Sequence, residues 1–126
     1  MTLLGLGSGF TTIFAKAPTA ALSAHTIGLV QGAVLFGLAG AWPLLRAPRR
    51  TLVATKYCLV IGLYANWIGA QLAAFWSARS MFVVTGAAMP EGAAPWMELT
   101  VAVLLNVSIL VIVACVLLLR SSRRAP

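Results

Sequence analysis

The chain contains one histidine, His25, set in an apolar run that also holds Gln31. Imidazole titrates near neutrality and is a common nitrogen ligand for metals and for haem iron. An ionisable group inside a membrane-length apolar run is costly, which makes it a candidate functional site. Gly28 and Gly32 follow His25 at i+3 and i+7, which puts all three on one helix face. Such a small-xxx-small pair lets a second helix backbone come close. Three readings of His25 stand on these residues: an interfacial histidine bonded to a carbonyl or to water, a ligand to haem iron, and a general base. A base needs a carboxylate partner, and the only acids are Glu91 and Glu98, both expected on the outer side.

The other polar residues within apolar runs fall into groups. Tyr57, Tyr64 and Gln71 recur every seven residues, a single stripe on a helix. Asn66 lies on another face with Gly62, Gly69 and Ala73. Asn66 and Asn106 each read either as an interhelical hydrogen bond, worth about 0.6–2 kcal/mol, or as a donor to a ligand. Gln31 is deeper in its run and reads as functional. Glu98, at the start of the last run, is favoured there by the helix dipole. Cys58 and Cys115 fall inside apolar runs and pack as small hydrophobes. With no CxxC and no Cys/His cluster, zinc has no ligand set.

Helices that cross a membrane must position these groups. The 126 residues are 61% hydrophobic and 9% charged, with a mean hydropathy of +0.98. Those values point to one small helical membrane domain. The apolar runs predict spans at about residues 3–15, 22–45, 52–77 and 96–119, an all-α integral membrane four-helix bundle. The first span is short and calls for tilt or local thinning of the bilayer. Pro18 bars a continuous helix from the first span to the second, and Ser23 or Thr19 is placed to cap the second. Trp42, Tyr57 and Trp76 sit at the depth of an aromatic belt.

The net charge of +7 resides at the ends of apolar runs, not along a face, which argues against nucleic acid as a partner. Arg46, Arg49 and Arg50 separate the second and third runs, and Arg120, Arg123 and Arg124 follow the fourth. Four spans put both groups on one side, which the positive-inside rule makes cytoplasmic. The expectation is an inner-membrane protein with both termini cytoplasmic and His25 about one helical turn into the outer leaflet.

In order and spacing, Ser23-Ala24-His25, Gly28, Gln31-Gly32, Leu35 and Trp42-Pro43 resemble the second-helix motif of hydroxylaminobenzene mutases. Tyr64-Ala65-Asn66-Trp67, Leu72-Ala73-Ala74 and Trp76 resemble that family's third helix. Trp96, Glu98, Leu104-Leu105, Ser108 and Cys115 are similar to its last. That family looks distantly related to styrene oxide isomerases, small four-helix membrane enzymes that form trimers and hold haem b between subunits on a histidine. The resemblance implies His25 as the axial ligand and Gln31 in place of a substrate-positioning asparagine. Asn66 is then the second donor, with Gly28, Gly32 and Tyr64 against the cofactor.

The implied protein is a homotrimeric isomerase taking a small hydrophobic aromatic hydroxylamine or epoxide from the membrane lipid. It rearranges that substrate without net redox change at ferric haem. Three departures separate the chain from the pattern. Ala17-Pro18-Thr19 stands where the mutases have Asn-Pro-Arg, Gln31 is one methylene longer than asparagine, and Ala70 replaces a tyrosine near the substrate of styrene oxide isomerase. A rival class fits the same lone histidine: a non-catalytic haem- or quinone-binding subunit of an electron-transfer complex. A visible spectrum with a redox titration separates the two, and a spectrum without a haem band points to a structural subunit.

Overall fold

The computed structural model describes residues 1–82, 86, 89–90 and 92–122, which form helices and connecting turns with no strand among them. Arg123 and Arg124 of the basic tail, and Glu91, lie outside the described residues. Helix α1 (Thr2–Phe10) ends where hydroxyls take its carbonyls. Ser8 Oγ donates to the Gly5 carbonyl at 2.7 Å, Thr11 Oγ1 to Ser8 at 2.8 Å and Thr12 Oγ1 to Gly9 at 2.8 Å. Such back-bonding competes with the helix ladder, and the chain tightens into one narrow turn at Thr12–Phe14. The two pieces together rise about 20 Å, short of the roughly 30 Å of a hydrocarbon core. The expected first span is therefore a short helix, and among the described residues 3 helices are long and apolar enough to cross a membrane.

Helix α2 (Pro18–Ala41) starts earlier than expected, because Pro18 sits in the first turn, where a missing N–H costs nothing. Neither candidate cap serves it: Ser23 Oγ bonds back to the Thr19 carbonyl at 3.1 Å. Helix α3 (Arg49–Trp76) closes on Ser77, whose φ of 59° is left-handed and whose N–H reaches the Ala73 carbonyl. The Ala78 N–H shares that carbonyl at 3.0 Å, a closure that satisfies the orphan C=O at a helix end. Helix α4 (Pro95–Val107) holds the same corner through Glu98. Its carboxylate accepts from the Arg79 N–H at 2.8 Å, the Ser80 N–H at 3.1 Å and the Ser80 hydroxyl at 2.6 Å. The last apolar run, expected as one helix, is interrupted at Ser108-Ile109 and resumes as α5 (Leu110–Ser122). Ser108 Oγ bonds the Leu105 carbonyl there, yet Pro95–Ser121 still forms one 27-residue span.

Helix α1 packs on α2, α2 on α3, and α3 on both α4 and α5. Helix α3 is the centre: 50% of its most apolar window is buried, against 11% in each of the other two spans. The buried residues are mostly small, among them Ala21, Ala24, Ala73, Ala74 and Ala78. The helices are therefore held by close backbone approach rather than by large interlocking side chains. The small-residue face of α3 meets α4 and α5. A Cβ at Gly62 would stand 2.8 Å from Val111 Cγ2, and one at Gly69 3.2 Å from Leu104 Cβ. The Tyr64–Gln71 stripe turns the other way, towards α1.

Candidate functional site

His25 lies against α1. Its Nδ1 is 2.7 Å from the Gly5 carbonyl. A carbonyl only accepts, so Nδ1 is the donor here, and in the neutral ring the lone pair is on Nε2. Gly9 makes room for the ring: a Cβ there would come within 3.1 Å of Cε1. The carbonyl bond expected of an interfacial histidine is thus present, and it occupies one nitrogen only. A nitrogen ligand is anchored in this same way, through the N–H on the far side of its ring. The donor set therefore fits haem iron at Nε2. The described acid, Glu98, is engaged with Arg79 and Ser80 rather than with His25, so among the described residues the general-base reading has no carboxylate behind it.

Gly28 and Gly32 are closed by α1. A Cβ at Gly28 would lie 2.6 Å from Trp67 Nε1 and 2.8 Å from the Gly5 Cα, and Gly32 sits against Thr2. The close-approach face expected to receive a cofactor or a second subunit is filled inside the chain. Tyr64 also meets α1: its hydroxyl accepts from the Met1 amine at 3.3 Å.

Gln31 and Asn66 come together. Both line a groove of about 440 Å³ between α2 and α3, with Ser23, Thr26, Ile27 and Val30. The Ser23 and Thr26 hydroxyls are spent on their own helix, on the Thr19 and Leu22 carbonyls. The Gln31 Oε1 is buried without a partner. At about 100° per residue, Gln31 stands roughly 120° round α2 from His25. Within one chain the groove and the histidine therefore open on different sides of α2. Asn106 leaves the inventory: it is exposed, and its Nδ2 donates to the Ala102 carbonyl of its own helix at 2.8 Å.

Residues 1–123 match the family profile described as styrene oxide isomerase. The chain belongs to the styrene oxide isomerase family. Two relatives from Ectopseudomonas oleovorans are similar to it. Hydroxylaminobenzene mutase HabA is 40% identical over 76 residues, which are 60% of this chain and 56% of HabA. Hydroxylaminobenzene mutase HabB is 34% identical over 124 residues, 98% of this chain and 76% of HabB. The chain thus spans 56% of the length of one relative and 76% of the other. No solved structure matches it.

This member of the styrene oxide isomerase family has a second groove, mostly apolar, that its sequence did not single out. Between α1 and α3, about 350 Å³ is lined by Leu3, Leu4, Ser8, Trp67, Gln71 and Phe75. Gln71 is 9% exposed, and both its amide atoms lack partners. The Trp67 indole N–H, pressed against Gly28, lacks one too. Leaving such a group unbonded costs about 1–3 kcal/mol. The signal available in the sequence was the seven-residue stripe that joins Gln71 to Tyr64. Gly5 and Gly9, which hold and admit the His25 ring, gave no signal, because nothing in α1 shows that it pairs with α2.

Proposed function

We propose that this chain is a membrane isomerase that rearranges a hydrophobic aryl hydroxylamine or aryl epoxide without net redox change, with haem b held on His25. The observation that carries the reading is that Gln31 and Asn66 line one groove whose exposed wall is mostly apolar, with a buried Gln31 oxygen left unbonded. An apolar ring fits such walls, and two amides suffice to orient a polar head. The names of the relatives, both hydroxylaminobenzene mutases, favour the hydroxylamine. In that rearrangement the N–O bond breaks, the oxygen joins a ring carbon, and the proton that carbon loses ends on nitrogen. In the epoxide case a C–O bond opens and a hydrogen migrates with its electron pair. Product and substrate are isomers in both, so no reductant or oxidant is consumed.

Each residue has a defined part. The Gly5 carbonyl fixes the imidazole's tautomer and direction through Nδ1–H, leaving Nε2 to bind iron. Haem held there would supply a Lewis acid. The Gln31 and Asn66 amides hydrogen-bond the substrate's oxygen or nitrogen and hold it in line. Because His25 and the groove open on different sides of α2, the reading has the site completed between two copies, in a homotrimer. The test is the visible spectrum of the purified protein together with turnover of an aryl hydroxylamine by its oxidised form, with no electron donor present. A Soret band with turnover supports the proposal. Haem-loaded protein that turns over neither substrate class, and cycles between redox states, replaces it with the electron-transfer subunit.

A further inference from the structure

Away from the histidine, the fold gathers positive charge that the proposed chemistry does not use. Arg46, in the turn between α2 and α3, and Arg120, near the end of α5, line one cavity of about 440 Å³. Pro48, Thr51, Leu117 and Ser121 form part of its wall. The α3 N-terminus opens here as well: Pro48 is its N-cap, and no side chain caps it. Its first-turn N–H groups add the positive end of the helix dipole to the two guanidiniums. Arg49 and Arg50 line a neighbouring groove on the same turn. No carboxylate answers this charge among the described residues; Glu98 stands at the opposite end of the last span and is bound to Arg79 and Ser80.

We infer that this cavity binds the phosphodiester headgroup of an anionic phospholipid. Two guanidiniums and uncapped helix N–H groups are donors suited to phosphate oxygens. The position favours a lipid over a soluble anion. The cavity lies at the end of the spanning helices, where Leu44 is exposed, Leu117 forms part of the wall and Val53 lines the neighbouring groove. Acyl chains can lie along those side chains while the headgroup occupies the cavity. Basic pockets between helices at a membrane face recognise anionic lipid in this manner. Each basic residue near such a surface favours an anionic lipid about fivefold, so the pair gives roughly thirtyfold.

The test is lipid retention by the full chain. The protein is purified from nanodiscs of equimolar phosphatidylglycerol and phosphatidylcholine, and bound lipid is counted by native mass spectrometry. Wild type should retain phosphatidylglycerol at least about tenfold over phosphatidylcholine, a margin below the full estimate for the pair. Arg46→Gln/Arg120→Gln should lose that preference, while Arg79→Gln, at the other end, should keep it. Equal retention of both lipids by wild type, or an unchanged preference in the double variant, overturns the inference. Inorganic phosphate that displaces the lipid as readily as added phosphatidylglycerol does would overturn the lipid as occupant. Should the double variant fail to fold, the wild-type preference is measured at low and high salt. Loss of preference at high salt supports a charged headgroup, and no salt response rejects it.

Discussion

At the scale of single residues, the proposed chemistry rests on two nitrogen-bearing groups with different constraints. His25 has one nitrogen tied to the Gly5 carbonyl and a ring seated over Gly9. His25→Ala removes the proposed ligand and should lose most haem on purification, whereas His25→Gln should retain a part. Soret absorbance per protein reads this, and an unchanged spectrum in His25→Ala sinks the ligand assignment. Gln31 has an unbonded buried oxygen, so replacing it by leucine removes no bond from the resting protein. Gln31→Leu should keep both fold and haem yet lower aryl hydroxylamine turnover by at least about tenfold, since one oriented donor at the transition state contributes 10²–10³. Haem content and turnover are measured in one preparation, and unimpaired turnover removes Gln31 from the site.

At the scale of elements, glycine decides which helices pair. Gly28 touches α1 and Trp67 so closely that any Cβ must displace backbone, because the Gly5 Cα would lie 2.8 Å away. Gly28→Ala should lower stability by about 1–3 kcal/mol through overpacking. Gly37, on the same helix, has nothing within 4 Å of a built Cβ. Gly37→Ala should be neutral or stabilising by up to about 1 kcal/mol, as helix propensity alone dictates. Thermal unfolding of both variants in one detergent makes the comparison; equal midpoints would mean that α1 does not dock on α2 as described.

At the scale of the whole molecule, α2 and the last span leave most of their apolar surface uncovered, 11% of each window being buried. Lipid can cover such surface, and so can another copy. The proposed site needs another copy, because His25 and the Gln31–Asn66 groove open on different sides of α2. We expect a homotrimer, read as molecular mass in mild detergent; a stable haem-loaded monomer refutes it. Gly28, Gly32, Gly62 and Gly69 are engaged within the chain, so the contacts of a trimer would use other faces. Orientation is tested separately. Arg46 and Arg120 line one cavity and so share an end of the bundle. Reporter fusions at Arg50 and at the C-terminus should both signal from the cytoplasm, and disagreement between them would break the shared-end arrangement.

Hydropathy and periodicity in the sequence by themselves determined a helical membrane domain, the three long spans, and the two-faced character of α3. These follow from local properties: apolar length sets what can cross a bilayer, and 3.6-residue spacing sets which residues share a face. The motif order around His25 and Asn66 likewise pointed to the family that the whole-chain match bears out. Tertiary structure decided the rest. Whether α1 completes a span depended on three hydroxyls competing for carbonyls. The partners of Gly28, Gly32, Gly62 and Gly69 depended on which helix came closest, and a small residue permits approach without naming a neighbour. Gln31 meets Asn66, and Arg46 meets Arg120, because antiparallel packing brings distant positions to one depth. No local pattern encodes that register; it is set by where the glycines and alanines of adjacent helices can touch.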